Sequence, residues 1–308
     1  MPNVEYCLDL RELISADELA QAQPGDPHPA AALLEALAPQ GCTRIYLGSS
    51  FCPQALIGAR PLNEALIALA RERGLHVTLS LPIPSQRWLA PQQEEALALL
   101  ELGEGVIDEL VANDFIMLEC ASMLAVERAG VGELPLGVVL GRLMSKDTRD
   151  PRDPEYPWQP AAPKMLQSSW GGESYLSRML ATFSYWNSEL QEYRCPLVGI
   201  ELDPFCAELL LHELPEQLTA AINGPLCYMS TGQICEFASL GLPEERMFRP
   251  NSPCARQCKG SCVRYRGASG VEFAKLGRAV FFQPQWQCVP RGVHSYRQLL
   301  SPLGEVRK

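Results

Sequence analysis

Three cysteines stand at a strict spacing of four in "NSPCARQCKGSC": Cys254, Cys258 and Cys262. Arg256, Gln257, Lys259, Gly260 and Ser261 separate them. A cysteine that serves as a small buried hydrophobe sits among apolar neighbours, as Cys7, Cys42, Cys120, Cys195 and Cys206 do. Thiols crowded into a polar loop fit metal chemistry better. Iron–sulfur clusters take thiolates, usually four. Structural zinc takes four ligands, most often from paired C-x2–4-C knuckles. Only one close group exists here, with isolated thiols elsewhere, so the spacing favours iron–sulfur and leaves zinc open. Candidates for a distant fourth ligand are Cys52, in "LGSSFCP", and Cys235, in "TGQIC", each following a strand-like run. A solvated redox loop without metal is the plain alternative.

Other side chains offer weaker chemistry. "GRLMSKDTRDPRD" leaves a strand and carries Arg142, Lys146, Arg149 and Arg152. Guanidinium groups grip carboxylates and phosphates in a planar fork, and Arg149 with Arg152 is the preferred pair. Asp147, Asp150 and Asp153 offset that charge, as a solvated turn would. Asp114 and Glu201 close two apolar runs, where barrel enzymes place catalytic acids; helix capping by Asp114 and Asp203 is the competing reading. His28, His76, His212 and His294 are scattered, with no ligand-like spacing. Ser49, Ser50, Ser230 and Thr231 have no recognisable base beside them, so nothing supports proteolysis.

These residues need a scaffold that brings distant segments together. Strand-like runs occur at "VEYCLDL", 42–50, 75–84, 106–115, 134–143, 195–204, 223–232 and 277–284. Amphipathic helical patterns occupy 61–74, 90–103 and 117–130, and a further helix is expected near 206–221. Short strands alternating with helices imply right-handed crossovers and a parallel sheet. About eight strands predict a TIM-like (β/α) barrel, whose strand ends open on one face. A doubly wound sheet with a separate cysteine-bearing tail is the alternative, although no GxGxxG or P-loop pattern supports it. The expected organisation is a single domain over 1–308, with a rim insertion at 146–172 packed down by Trp158 and Trp170, and a cysteine-rich loop at 235–265.

The net charge of −10 argues against broad binding of nucleic acid. No apolar run reaches the roughly 18 residues of a membrane span. The opening "MPNVEYCLDLRELISADEL" lacks the pattern of a secretory signal. The expectation is a soluble, cytoplasmic protein.

Two stretches resemble a known family. "RIYLGSSFCPQALIGARPLNEALIALARERGLHVTLSLP" resembles the early segment of the UbiV proteins of oxygen-independent ubiquinone biosynthesis. "GPLCYMSTGQICEFASLGLPEERMFRPNSPCARQCKGSCVRY" resembles the cysteine signature of the wider collagenase-like peptidase superfamily. The resemblance implies a TIM-like barrel with a 4Fe–4S cluster on Cys52, Cys235 and a C-x-x-x-C pair. That pair is Cys254 with Cys258, or Cys258 with Cys262. The UbiU-like branch would draw instead on Cys227 and Cys288. It further implies hydroxylation of an aromatic or prenylated quinone precursor, with oxygen from a small organic donor such as prephenate, and a homologous partner subunit. RNA hydroxylation, a peptidase-like protein and a non-catalytic metal-binding scaffold are the alternatives that the same superfamily suggests.

Overall fold

The computed structural model describes residues 3–11, 41–57, 59–102, 105–130, 136–144, 196–203, 208–210, 214–250, 252–258, 262–283, 289–292 and 294–301. The rim segment 146–172, with Lys146, Arg149 and Arg152, lies outside them, as do Cys195, Cys206 and Cys288.

Eight parallel strands close into a barrel in the order β1-β14-β8-β6-β5-β4-β3-β2. Six of them follow the expected runs: β1 Asn3–Asp9, β2 Cys42–Gly48, β3 His76–Leu81, β4 Glu109–Ala112, β5 Gly137–Leu140 and β6 Leu197–Leu202. The remaining two are β8 Thr219–Ile222 and β14 Ser295–Leu300, which the sequence pattern does not single out. The runs at 223–232 and 277–284 do form strands, β9 Cys227–Thr231 and β12 Ala279–Phe282, but outside the barrel. They join β10 Val263–Arg266 and β11 Glu272–Leu276 in an antiparallel sheet of order β10-β11-β12-β9. The helix expected near 206–221 is corrected too. The described residues there form β7 Glu208–Leu210, paired with β13 Val289–Arg291, and then β8. Pro215 denies a helix interior its hydrogen bond, and Thr219–Ile222 pairs into the barrel instead.

Helices cover the barrel: α1 Pro53–Leu56, α2 Arg60–Glu72, α3 Leu89–Leu100 and α4 Phe115–Gly130. In α2 the buried residues Leu62, Leu66, Ile67 and Ala70 recur at helical spacing and face the strands. They join Leu8, Ile45, Leu47, Val77 and Leu79 in the outer core. No helix among the described residues is long and apolar enough to cross a membrane.

Side chains alternate across each strand, so every second residue points inward. The middle inner layer is apolar: Cys7, Tyr46, Val111, Val139, Ala221 and Leu299. The layer at the strand starts is ionic. Arg297 grips Glu109 with both terminal nitrogens, each at 2.8 Å, and reaches Glu5 through Nε at 2.9 Å. Arg44 meets Glu5 at 3.3 Å and Glu109 at 3.2 Å. Because Arg297 points inside, β14 reads as a polar segment although it is a barrel strand. The layer at the strand ends is charged as well, and it forms the floor of the site.

Candidate functional site

The floor is built around Arg11, which follows β1 and is 3% exposed. Its Nε donates to Asp9 Oδ1 at 2.8 Å and its Nη2 to Asp9 Oδ2 at 2.9 Å. Nη1 donates to Glu201 Oε1 at 2.6 Å and to Ser50 Oγ at 3.0 Å. Nη2 also reaches Asn223 Oδ1 at 3.0 Å. These contacts use the full donor capacity of a guanidinium. They tie together the ends of β1, β2, β6 and β8. Glu201 is wholly buried. Its Oε2 accepts the backbone N–H of Arg142 at 3.3 Å. Burial pushes its pKa above the usual carboxylate range, while Arg11 and Arg142 pull the other way.

A lid covers this floor. The four-stranded sheet enters the chain between β8 and β14 and packs across the strand ends. Phe51, from the loop after β2, stacks on Tyr228 of β9 at 4.8 Å and meets Phe281 of β12 edge-on at 5.3 Å. Leu143, Leu226 and Leu276 complete that apolar cluster. Arg142 lies against both Phe51 and Phe281, at 5.6 and 5.7 Å from the ring centres. It also faces Asp203 at 3.6 Å. Asp203 Oδ1 accepts the backbone N–H of Tyr228 at 3.1 Å, a direct tie from barrel to lid. Between floor and lid is a pocket lined by Asp9, Arg11, Ser50, Phe51, Arg142 and Phe281, among others. It joins the buried Asp9 carboxyl, two guanidiniums and the rings of Phe51 and Phe281.

Beside this pocket is a second cavity, lined by Cys52, Cys235, Cys254 and Cys258. Three separate stretches deliver these thiols. Cys52 directly precedes α1, its N–H held by Ser49 Oγ at 3.0 Å. Cys235 follows β9. Cys254 and Cys258 lie in the loop before β10, which is fastened back to the α1 region. Gln54 Nε2 donates to Ser252 O at 3.1 Å, and Arg256 Nη1 to Ile57 O at 3.2 Å. Arg256 takes a φ of 60°, and its backbone N–H donates to Cys254 Sγ at 3.2 Å. Burial raises the pKa of the Cys254 thiol, and nearby Cys235 adds to that rise. Arg249, Arg256 and Arg278 line the same cavity, and among the described residues no carboxylate does. None of the described cysteines forms a disulfide.

Among the described residues, no three His, Cys, Asp or Glu side chains gather as a single-ion site. Tetrahedral zinc needs its sulfurs about 2.3 Å from one point. Four cysteines do line one cavity. The donor set therefore fits a four-thiolate cluster in kind and number.

Consecutive residues line the thiol cavity and the mouth pocket at two places. Phe51 lines the pocket and Cys52 the cavity; Leu276 lines the pocket, Gly277 and Arg278 the cavity. Of the other candidates, Cys262 packs beside the lid's apolar cluster. Cys227 is buried with Phe273 and Phe282 in a different cluster. Asp114 Oδ1 accepts the Met117 N–H at 2.8 Å and caps α4, and Asp203 links barrel and lid. Sequence reasoning missed Asp9, Arg11, Asn223 and Arg278. The charged "DLR" closing the apolar run of β1 was the available signal for the first two.

No protein-family model matches this chain. No curated protein matches it either. Solved structures similar to it include the GH1 β-glucosidase from Exiguobacterium antarcticum B7, at 8% identity and a TM-score of 0.35, covering 75% of this chain and 67% of that one. A class V chitinase from Pseudomonas fluorescens Pf-5 shows 10% identity and a TM-score of 0.32, covering 92% and 88%. The barrel assignment stands on the strand order itself.

Proposed function

We propose that this chain holds a 4Fe–4S cluster at the mouth of its barrel and serves the oxygen-independent hydroxylation of an aromatic or quinone-precursor substrate, with a homologous partner subunit. The observation that carries the reading is the shared cavity of Cys52, Cys235, Cys254 and Cys258, lined at two places by residues consecutive with those of a buried acid–arginine pocket. The two quoted stretches that resemble the ubiquinone-biosynthesis proteins supply the substrate class. When bound, such a cluster supplies one-electron chemistry.

The chain's own residues have separable roles. The four cysteines hold the cluster, and Arg249, Arg256 and Arg278 offset the negative charge of four thiolates. Phe51 and Phe281, packed edge-on against each other, form an apolar wall beside Arg142. Arg142 orients a carboxylate or quinone oxygen. Glu201, buried behind Arg11 and with its pKa raised by burial, helps set the charge of the pocket floor. Arg11 fixes Glu201 and Asp9 in place.

A second reading has one feature in its favour. Strand β10, Val263–Arg266, is exposed along its whole length and alternates arginine with an aromatic residue, a pattern that suits single-stranded RNA.

The test is anaerobic purification with iron, sulfide and zinc analysis. The expected result is about four irons per chain and a broad absorption band near ~400 nm. Serine at position 52, 235, 254 or 258 should abolish the band, whereas Cys7→Ser and Cys262→Ser should retain it. One zinc per chain, or a colourless oxygen-free preparation, would overturn the cluster. A coloured protein that copurifies with and protects RNA would favour the second reading.

A further inference from the structure

The turn joining β11 to β12 brings a cation to the thiol cavity. Gly277 and Arg278 are its two central residues. Gly277 has a φ of 56°, the conformation glycine takes without strain at the first centre of a tight hairpin turn. The Cβ it lacks would lie 3.5 Å from Cys258 Sγ, so the tip of the turn rests on a cavity thiol. The Arg278 carbonyl is pinned by Thr231 Oγ1 at 3.2 Å and by the Gly232 N–H at 3.1 Å.

The side chain is placed differently from the other two arginines of this cavity. Arg256 donates to Ile57 O, and Arg249 Nη2 donates to Glu245 O at 2.5 Å. Arg278 Nε is buried and has no hydrogen-bond partner among the described residues. Leaving such a donor without an acceptor is costly, the more so for a charged group. Among the described residues no carboxylate lines the cavity to receive it. The described side chains leave this donor without an acceptor, at the wall of the cavity.

We infer that Arg278 is the residue that tunes the bound cluster, donating an N–H to a cluster or cysteine sulfur and raising the reduction potential. The inference rests on the cluster reading above. Hydrogen bonds to sulfur, net charge and solvent exposure set such potentials. Reduction brings one electron from an external one-electron donor; no bond forms or breaks and no proton moves. The site becomes more negative by one charge, and a guanidinium beside it favours the reduced form. Arg278 is a positioning and tuning residue, not a catalytic one.

The experiment compares wild type with Arg278→Met and Arg278→Gln, purified anaerobically with full-length chain. Iron per chain is measured first, then a dye-mediated titration with dithionite follows the cluster absorbance. Methionine keeps the length and removes charge and donors. Glutamine removes the charge and keeps a neutral donor. At the wild-type midpoint, the ratio of reduced to oxidised cluster should fall about tenfold in Arg278→Met, equivalent to about 59 mV for a one-electron couple. Arg278→Gln should fall between the two. If Arg278→Met does not load iron, Arg278→Gln against wild type decides. Iron-loaded variants that titrate with wild type would overturn the role of Arg278 and leave the cluster intact. Wild type that binds no iron would overturn the cluster, and this inference with it.

Discussion

Replacing Arg11 with methionine tests the construction of the barrel mouth. The substitution keeps the length of the side chain and removes a guanidinium bonded to Asp9, Glu201, Ser50 and Asn223. Asp9 and Glu201, 6% and 0% exposed, are then left without their shared cation. Removing one partner of a buried ion pair costs about 3–5 kcal/mol. Glu201 already has a raised pKa and can take a proton, and Arg142 stays nearby, so the expected loss is near the lower end, about 3 kcal/mol. At roughly 2 °C per kcal/mol, the lower figure for large domains, Tm should fall by about 6 °C. The pH dependence fixes the cause. A carboxyl whose folded pKa lies above its unfolded value binds more protons in the native state, so stability falls as pH rises. The deficit of Arg11→Met should therefore widen from acid toward neutral pH. Urea unfolding of metal-free protein at several pH values reads both effects. The loss in the double variant Arg11→Met/Glu201→Gln should be smaller than the sum of the two single losses, by a coupling of about 0.5–3 kcal/mol. A single variant within about 0.5 kcal/mol of wild type would refute this account. So would losses that simply add.

Three further outcomes follow from the packing. Gly48→Ala should destabilise by at least about 1–3 kcal/mol, because Gly48 has a φ of 84° and the new Cβ would lie 2.4 Å from Ser80 O; an unchanged urea midpoint would contradict it. Phe281→Ala removes the ring that meets Phe51 and Tyr228 and should cost about 3–5 kcal/mol, with faster proteolysis of the lid as a second readout; a lid cut at the wild-type rate would speak against its docking on the mouth. Glu5 is held below the usual carboxylate range: burial acts against this, but Arg297 and Arg44 outweigh it. That lowered pKa gives stability at neutral pH that is lost as pH falls below about 5. Glu5→Gln should flatten the acid limb of the stability curve, and an acid limb identical to wild type would count against the ionic layer.

The barrel was legible because its first six strands carry uninterrupted apolar or alternating runs, from "VEYCLDL" to "LVGIEL". The last two barrel strands were not. Thr219–Ile222 is short and built of small residues, and Ser295–Leu300 turns Arg297 inward to an ion pair. The strongly strand-like 277–284 run belongs to the lid, since a local pattern states that a segment pairs but not with which sheet.

Residue types and spacing singled out Cys254, Cys258 and Cys262 as thiols among polar neighbours, with Cys52 and Cys235 as candidate distant partners. Which thiols share a cavity, and that Cys262 turns toward the lid's apolar cluster instead, was decided by the fold. Asn223 and Arg278 became visible only in three dimensions, and so did the partners of Arg11. Each meets partners far away in the chain, or faces a cavity that several segments enclose. Charge and burial act through space at a few ångströms, and sequence order carries almost no record of that distance.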